Sequence, residues 1–446
     1  MKAKEFSLAI CLVAVLTTSL ILTARSSAQT DSTLHTFTGF NTDGSVGSND
    51  AGTYGGLVAD SAGNLYGTTP FGGTSTFCIQ AGQKLGCGTA FELSPPAQPG
   101  GPWTETILYS FDPNVVGDAT APQGGMVFDK AGNLYGTTNN GQGSFQPGNV
   151  FELSPPSQPG GPWTETILYT APGDGFNTNG GLIIDSAGNL YGTNNEGGTY
   201  DRGTVFELSP PSQPGGSWTS TSLYSFGKDH LDGSYPLSGV VRDSKGNLYG
   251  TTTMGGTESG PTYGTVYMLK PPPAPGGAWT ETVLYRFTGG DDGGDPWGGL
   301  LLFKKGLYGT TRIGSTEGGG TVFQLTFAGG TGLTETVLHA FSPRDNNGHD
   351  LRDAPIVDAA GNLYGTAYMY NENGAGVVFK LAPPSSGGSW TYSVLYRFTG
   401  GSDGGFPVAP LIMKNGLLYG ITTQGGDQNC MVDLAQGCGT VFQIAK

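Results

Sequence analysis

The sequence predicts an all-β protein: a seven-bladed β-propeller of four-stranded blades, in which an N-terminal strand closes the last blade. Three observations lead there. First, 79 glycines and 29 prolines in 446 residues accompany 11% aromatic and 12% charged residues. Glycine and proline are the poorest helix formers, and disordered chains are poor in aromatics. Second, four short phrases recur, three of them seven times and the fourth six times. Third, the two ends of the chain carry complementary parts of one repeat.

The phrases read as strands because each is four to nine residues long and rich in β-branched and aromatic residues. Leu-Tyr-Gly-Thr stands at 65–68, 134–137, 190–193, 248–251, 307–310 and 363–366, with a variant at 418–421. Its tyrosines recur about every 59 residues, a period that points to a repeat architecture. Gly-Thr-Val-Phe or a close variant follows at 88–91, 148–151, 203–206, 264–267, 320–323, 376–379 and 439–442. A longer phrase, Trp-Thr-Glu-Thr-Ile-Leu-Tyr-Ser-Phe at 103–111, recurs from Trp163, Trp218, Trp279, Leu333 and Trp390. By period two, Trp103, Glu105, Ile107, Tyr109 and Phe111 share one face. The fourth phrase is an apolar run led by small residues, as in Gly180-Gly181-Leu182, Gly298-Gly299-Leu300, Ala354-Pro355-Ile356 and Ala409-Pro410-Leu411. The small-residue strand belongs at the crowded axis and the Trp strand at the rim. The last repeat stops after three strands. Residues 33–37 match the tail of the outer strand and supply the fourth, which removes an exposed sheet edge.

Residues 1–28 stand apart. Lys2 and Lys4 precede an apolar run over 8–23, and Ser26 and Ala28 are the small residues of a cleavage site before Gln29. They predict a secretory signal peptide, with residues 29–446 as one propeller domain in a secreted, periplasmic or cell-surface protein. No membrane span is expected after its removal. The whole chain carries a net charge of −15, and losing Lys2, Lys4, Arg25 and Glu5 makes it more acidic. Nucleic acid is therefore disfavoured as a partner, and a monomer binding a carbohydrate or another protein is expected. Cys78, Cys87, Cys430 and Cys438 survive cleavage. Their short spacings favour disulfides Cys78–Cys87 and Cys430–Cys438, stiffening the seam between blades one and seven.

The connections carry the chemistry. Asp-x-x-Gly-Asn turns begin at Asp60, Asp129, Asp185, Asp243 and Asp358. Asp opens the turn and Gly takes positive φ, so these aspartates read as turn residues before calcium ligands. Between blades, Asp118, Asp174, Asp232, Asp292 and Asp403 recur seven residues before the second small residue, with Asn49 in the first blade. They read as Asx turns. The functional expectation is a ring of carboxylates at the channel mouth, a weak candidate site for Ca²⁺; no other cofactor is expected. Residues that break the repeat are better ligand candidates. Trp297 lies outside the repeated Trp position beside Asp292 and Asp295, and Tyr235 and Phe406 lie beside Asp232 and Asp403. Aromatics next to carboxylates suit sugar binding by stacking and hydrogen bonding. His35 and His339 replace a repeated tyrosine, and no nucleophile elbow, HExxH or phosphate loop is present.

The unit running from Gly180 to Phe206, Gly-Gly-Leu…Asp-x-x-Gly-Asn-Leu-Tyr-Gly-Thr…Gly-Thr-Val-Phe, resembles the GloVer tandem repeat of exported bacterial proteins. The resemblance implies export and brings no catalytic residues; the C-terminal anchor common in that family has no counterpart after the last blade. The sequence thus favours a non-enzymatic binding scaffold for carbohydrate or an envelope or extracellular protein. The alternatives are a propeller lyase or glycoside hydrolase using mouth carboxylates, and a structural surface protein with calcium-stabilised loops.

Overall fold

The computed structural model describes residues 32–39, 43–44, 55–80, 83–114, 119–138, 148–158, 160–171, 180–213, 215–274, 276–327, 333–371, 374–385, 387–432 and 435–446. The signal peptide, Asn49, Asp118 and Asp174 lie outside the described residues. Seven four-stranded antiparallel sheets make the blades, and no helix occurs among the described residues. Blade 4 is typical: Val241–Arg242, Leu248–Thr252, Thr265–Lys270 and Thr280–Arg286 run from axis to rim. Blade 7 takes its outer strand from the N-terminus, where Ser32–Thr36 pairs with Thr440–Ala445. The chain is therefore an all-β seven-bladed propeller closed by its own first strand.

The glycine of Leu-Tyr-Gly-Thr is explained by its cross-strand partner. Gly67 pairs with Phe91, and a Cβ at Gly67 would meet the Phe91 ring at 2.6 Å. The same glycine–aromatic pair recurs as Gly192 with Phe206 and Gly365 with Phe379. The ring fills the space the absent side chain leaves, and each of these phenylalanines is buried. In the five blades whose hairpin keeps the aspartate, the tyrosine of the phrase donates to it, as Tyr249 Oη to Asp243 Oδ2 at 3.1 Å. Asp243 Oδ1 also accepts from the Lys245 and Asn247 amides. The threonine joins neighbouring blades. Thr193, Thr251 and Thr310 donate to the carbonyls of Ser238, Gly298 and Asp353 at 2.9, 3.0 and 2.7 Å.

Two details differ from the sequence expectation. The outer strand does not keep one period-two face, because its register shifts in mid-strand. Ala90 pairs with Tyr109 and Phe91 with Ile107, so Leu108 is a bulge residue and turns inward. In blade 6 the small-residue phrase is displaced by one. Pairing of Ile356 with Tyr364, against Val241 with Tyr249, makes Asp353 and Ala354 the counterparts of Ser238 and Gly239.

Both disulfides form as Cys78–Cys87 and Cys430–Cys438. Cys430 and Cys438 pack with Phe37 and Leu85 at the seam of blades 7 and 1. Cys78 and Cys87 instead pack with Phe111, Met126 and Phe151, at the seam of blades 1 and 2. One disulfide, not both, stands at the closure.

Candidate functional site

Among the described residues, the crossings from the rim of one blade to the axis of the next run over one face. They pack against the start of the third strand: a Cβ on Gly264 would lie 2.8 Å from Pro296 Cδ. The hairpin turns lie on the opposite face with the proline-rich links, where Gly188 approaches Pro210.

The crossing begins with the repeated aspartate. Asp232 Oδ2 accepts from Tyr224 Oη at 3.0 Å and from the Gly227 and Lys228 amides, and Oδ1 accepts from the Gly233 amide. Asp292 accepts from Tyr285 Oη at 3.1 Å and the Thr288 amide. Asp403 accepts from Tyr396 Oη at 3.0 Å and the Thr399 amide. These carboxylates cap the turn leaving the outer strand, and none of the three lines the axial cavity. In the first blade Asp43 takes this role, receiving the Thr38 amide and hydroxyl and meeting His35 Nε2 at 3.1 Å. At the turns of Asp43, Asp232 and Asp292 the outer strand of the following blade presents a glutamate. Glu105, Glu281 and Glu335 each have a buried Oε1 without a partner. Burial is the main cause that raises each of these carboxyls from 4.5 to about 7; neighbouring aspartates add to it, and His35 opposes it at Glu105.

Midway along the crossing stands a residue in the left-handed region. Ala121, Tyr235, Asp295, Asp350 and Phe406 occupy it, with φ of 50, 60, 55, 60 and 58°. Two backbone hydrogen bonds pin it between blades, as when the Asp295 amide donates to the Tyr263 carbonyl and its own carbonyl accepts from Arg312. For non-glycine residues such a conformation costs of order 1–3 kcal/mol and persists where surrounding structure enforces it. Three of the predicted ligand residues, Tyr235, Asp295 and Phe406, are thus one structural position in three blades.

Around these residues the chain gathers arginines that no phrase foretold. Arg312 pairs with Asp295 at 2.7 Å and stands 4.6 Å over the Trp297 ring. Arg352 pairs with Asp350 at 2.8 Å and lies 5.2 Å from Trp297 and 3.7 Å from Tyr368. Trp297 Nε1 donates to Asp295 Oδ1 at 2.8 Å, and Phe406 meets Tyr368 at 5.2 Å. Asp295, Trp297 and Phe406 therefore share one aromatic–arginine cluster across blades 5 to 7. Asp232 and Tyr235 sit apart in a 360 Å³ cleft with Arg202, Lys228 and His230. Arg202 donates to the Tyr235 hydroxyl and covers its ring.

The axial cavity measures 210 Å³ and is lined by the small residues of the inner strands, with Arg352 and Asp353 at blade 6. Asp353 Oδ2 accepts from Thr366 at 3.0 Å, while Oδ1 is buried without a partner. Burial raises this carboxyl from 3.8 to about 7. Counting back five residues from the hairpin Asp358 would have found it, since Ser238 stands five before Asp243.

Two overlapping stretches of the chain, 76–290 and 259–442, match the Gloeobacter/Verrucomicrobia repeat. The chain belongs to that family. No curated protein matches it. Among solved structures it is similar to a luciferin-regenerating enzyme, at 13% identity and TM-score 0.40, over 72% of this chain and 90% of that one. A Trypanosoma rangeli sialidase follows at 12% and 0.42, over 79% and 56%. A Mycobacterium tuberculosis puromycin-hydrolyzing peptidase matches at 10% and 0.48, over 84% and 49%. The chain spans about half the length of the last two, and these likenesses have no bearing on activity. The two disulfides are compatible with an extracellular or periplasmic protein. No helix among the described residues is long and apolar enough to cross a membrane.

Proposed function

We propose that this Gloeobacter/Verrucomicrobia-repeat protein is an exported, non-enzymatic binding scaffold, and that it takes a carbohydrate on the face carrying the inter-blade crossings. One observation carries this reading: the left-handed position, where glycine is the inexpensive choice, holds Tyr235, Asp295, Asp350 and Phe406. Backbone strain spent on large side chains around one face favours a role for those side chains. The chemistry suits a sugar. Aromatic rings offer stacking surfaces, and the arginine and aspartate groups beside them offer hydrogen bonds in both senses. Asp232 and Asp295 are each held by several donors, which favours binding over proton transfer.

The test is a glycan array followed by calorimetric titration of the best glycan against wild type, Tyr235→Gly and Phe406→Gly. Glycine keeps the left-handed backbone, so the expected outcome is at least tenfold weaker binding with unchanged folding. Absence of any glycan ligand, or equal binding by both variants, overturns the proposal.

A further inference from the structure

At three seams among the described residues the outer-strand residue facing the loop aspartate is a tyrosine. Tyr224, Tyr285 and Tyr396 each donate a hydroxyl hydrogen bond to it. The seam between blades 7 and 1 departs from this rule, because His35 takes the tyrosine's register position opposite Val441. The change replaces a hydroxyl with an imidazole between two carboxylates. His35 Nε2 lies 3.1 Å from Asp43 Oδ2 and 3.7 Å from Glu105 Oε2. Among the described residues this is the group of three His, Cys, Asp or Glu whose ligand atoms all fall within 4.8 Å of one another.

We propose that His35, Asp43 and Glu105 bind one divalent first-row transition-metal ion at the seam where the first strand closes the ring. Bonds of about 2.0–2.1 Å to a tetrahedral zinc set neighbouring ligand atoms about 3.3 Å apart, and the two observed separations bracket that value. Glu105 Oε1 is buried without a hydrogen-bond partner, as are Glu281 Oε1 and Glu335 Oε1; what sets Glu105 apart is the imidazole 3.7 Å from its other oxygen. The ligands are also oriented from outside the group. The Thr38 amide and hydroxyl hold Asp43 Oδ1, and Phe37 packs edge-on against the imidazole at 4.9 Å. The three side chains are 17%, 11% and 14% exposed, enclosed yet reachable by an ion. The imidazole discriminates against calcium, which prefers an all-oxygen set, and in favour of zinc or a similar metal. The ligands come from the closing strand, the crossing that follows it and the outer strand of blade 1. A bound ion therefore ties the N-terminal segment across the closure.

The experiment strips the disulfide-intact protein of metal and dialyses it against zinc or calcium, then measures bound metal and melting temperature. The variants are His35→Tyr and Glu105→Gln. Tyrosine is the residue that other blades place there, so His35→Tyr keeps the fold and the bond to Asp43. Wild type is expected to bind one zinc per chain and to melt higher with zinc than with chelator. Both effects should fall at least tenfold in His35→Tyr, weaken in Glu105→Gln, and be absent with calcium. The proposal is overturned if wild type binds no zinc, if His35→Tyr binds zinc as wild type does, or if calcium replaces zinc with equal effect.

Discussion

Replacing Asp353 with asparagine removes a buried ionisable group while keeping its shape. The Thr366 hydroxyl can still donate to the side-chain oxygen, and the backbone carbonyl that accepts from Thr310 is untouched. Burial raises the Asp353 carboxyl from 3.8 to about 7 in the folded chain. A raised acid folds without penalty while protonated, below about pH 4. Its contribution is then lost as pH rises from 3.8 towards 7, where the folded chain must hold either a bound proton or a buried carboxylate. At about 1.4 kcal/mol per tenfold change in proton affinity, the wild type forfeits on the order of 4 kcal/mol across that window. Asparagine has no such titration. Urea denaturation of both proteins from pH 4 to pH 8 measures the difference directly. Glu105, Glu281 and Glu335 titrate alike in both and cancel. Asp353→Asn should gain on wild type steadily with pH, by several kcal/mol at pH 8. Parallel pH profiles for the two proteins would refute the account of Asp353 as an under-satisfied buried acid.

The remaining predictions follow the same physics. Thr251→Val keeps shape but removes the donor to the Gly298 carbonyl, so urea unfolding should show a loss of about 1–3 kcal/mol. Gly67→Ala forces a methyl against the Phe91 ring and should cost about 1–3 kcal/mol, partly recovered in the double variant with Phe91→Leu. His339 stacks on Tyr392 at 4.1 Å, and burial lowers its imidazole from 6.5 to about 4. A lowered base stabilises the fold above pH 6.5 and loses that contribution as pH falls towards 4, so His339→Tyr should resist acid unfolding better than wild type by up to about 3 kcal/mol.

Most of the fold was legible because each strand is a short local phrase and the phrases recur. The Gly67–Phe91 pairing explains why the phrases contain those residues in that order. What escaped depended on register. The outer-strand bulge at Leu108 breaks a period-two count that sequence spacing alone extends. Asp353 was visible as a loop acid before blade 6, but its place at the inner-strand small-residue position escaped because Ala354-Pro355 mimics the small pair one position late. Asp43 escaped because it stands thirteen residues before Gly56, where Asp292 stands seven before Gly299, so the count fell on Asn49 instead. The candidate site was half visible. Trp297 announced itself by standing outside the repeated Trp position. Arg312 and Arg352 carry no repeated signal; pairing of Gly294 with Ile313 inside blade 5 brings the first against Trp297, and packing of blade 6 on blade 5 brings the second.

The central claim is that the crossing face, and not the hairpin face, takes the ligand. Hydrogen-exchange footprinting with and without the best array glycan tests it most directly. Protection is predicted over residues 227–236, 289–297, 345–353 and 400–407. The hairpin face offers its own 570 Å³ pocket between the turns at Asp129 and Asp185. Protection confined to those turns, with the crossings unchanged, would contradict the account.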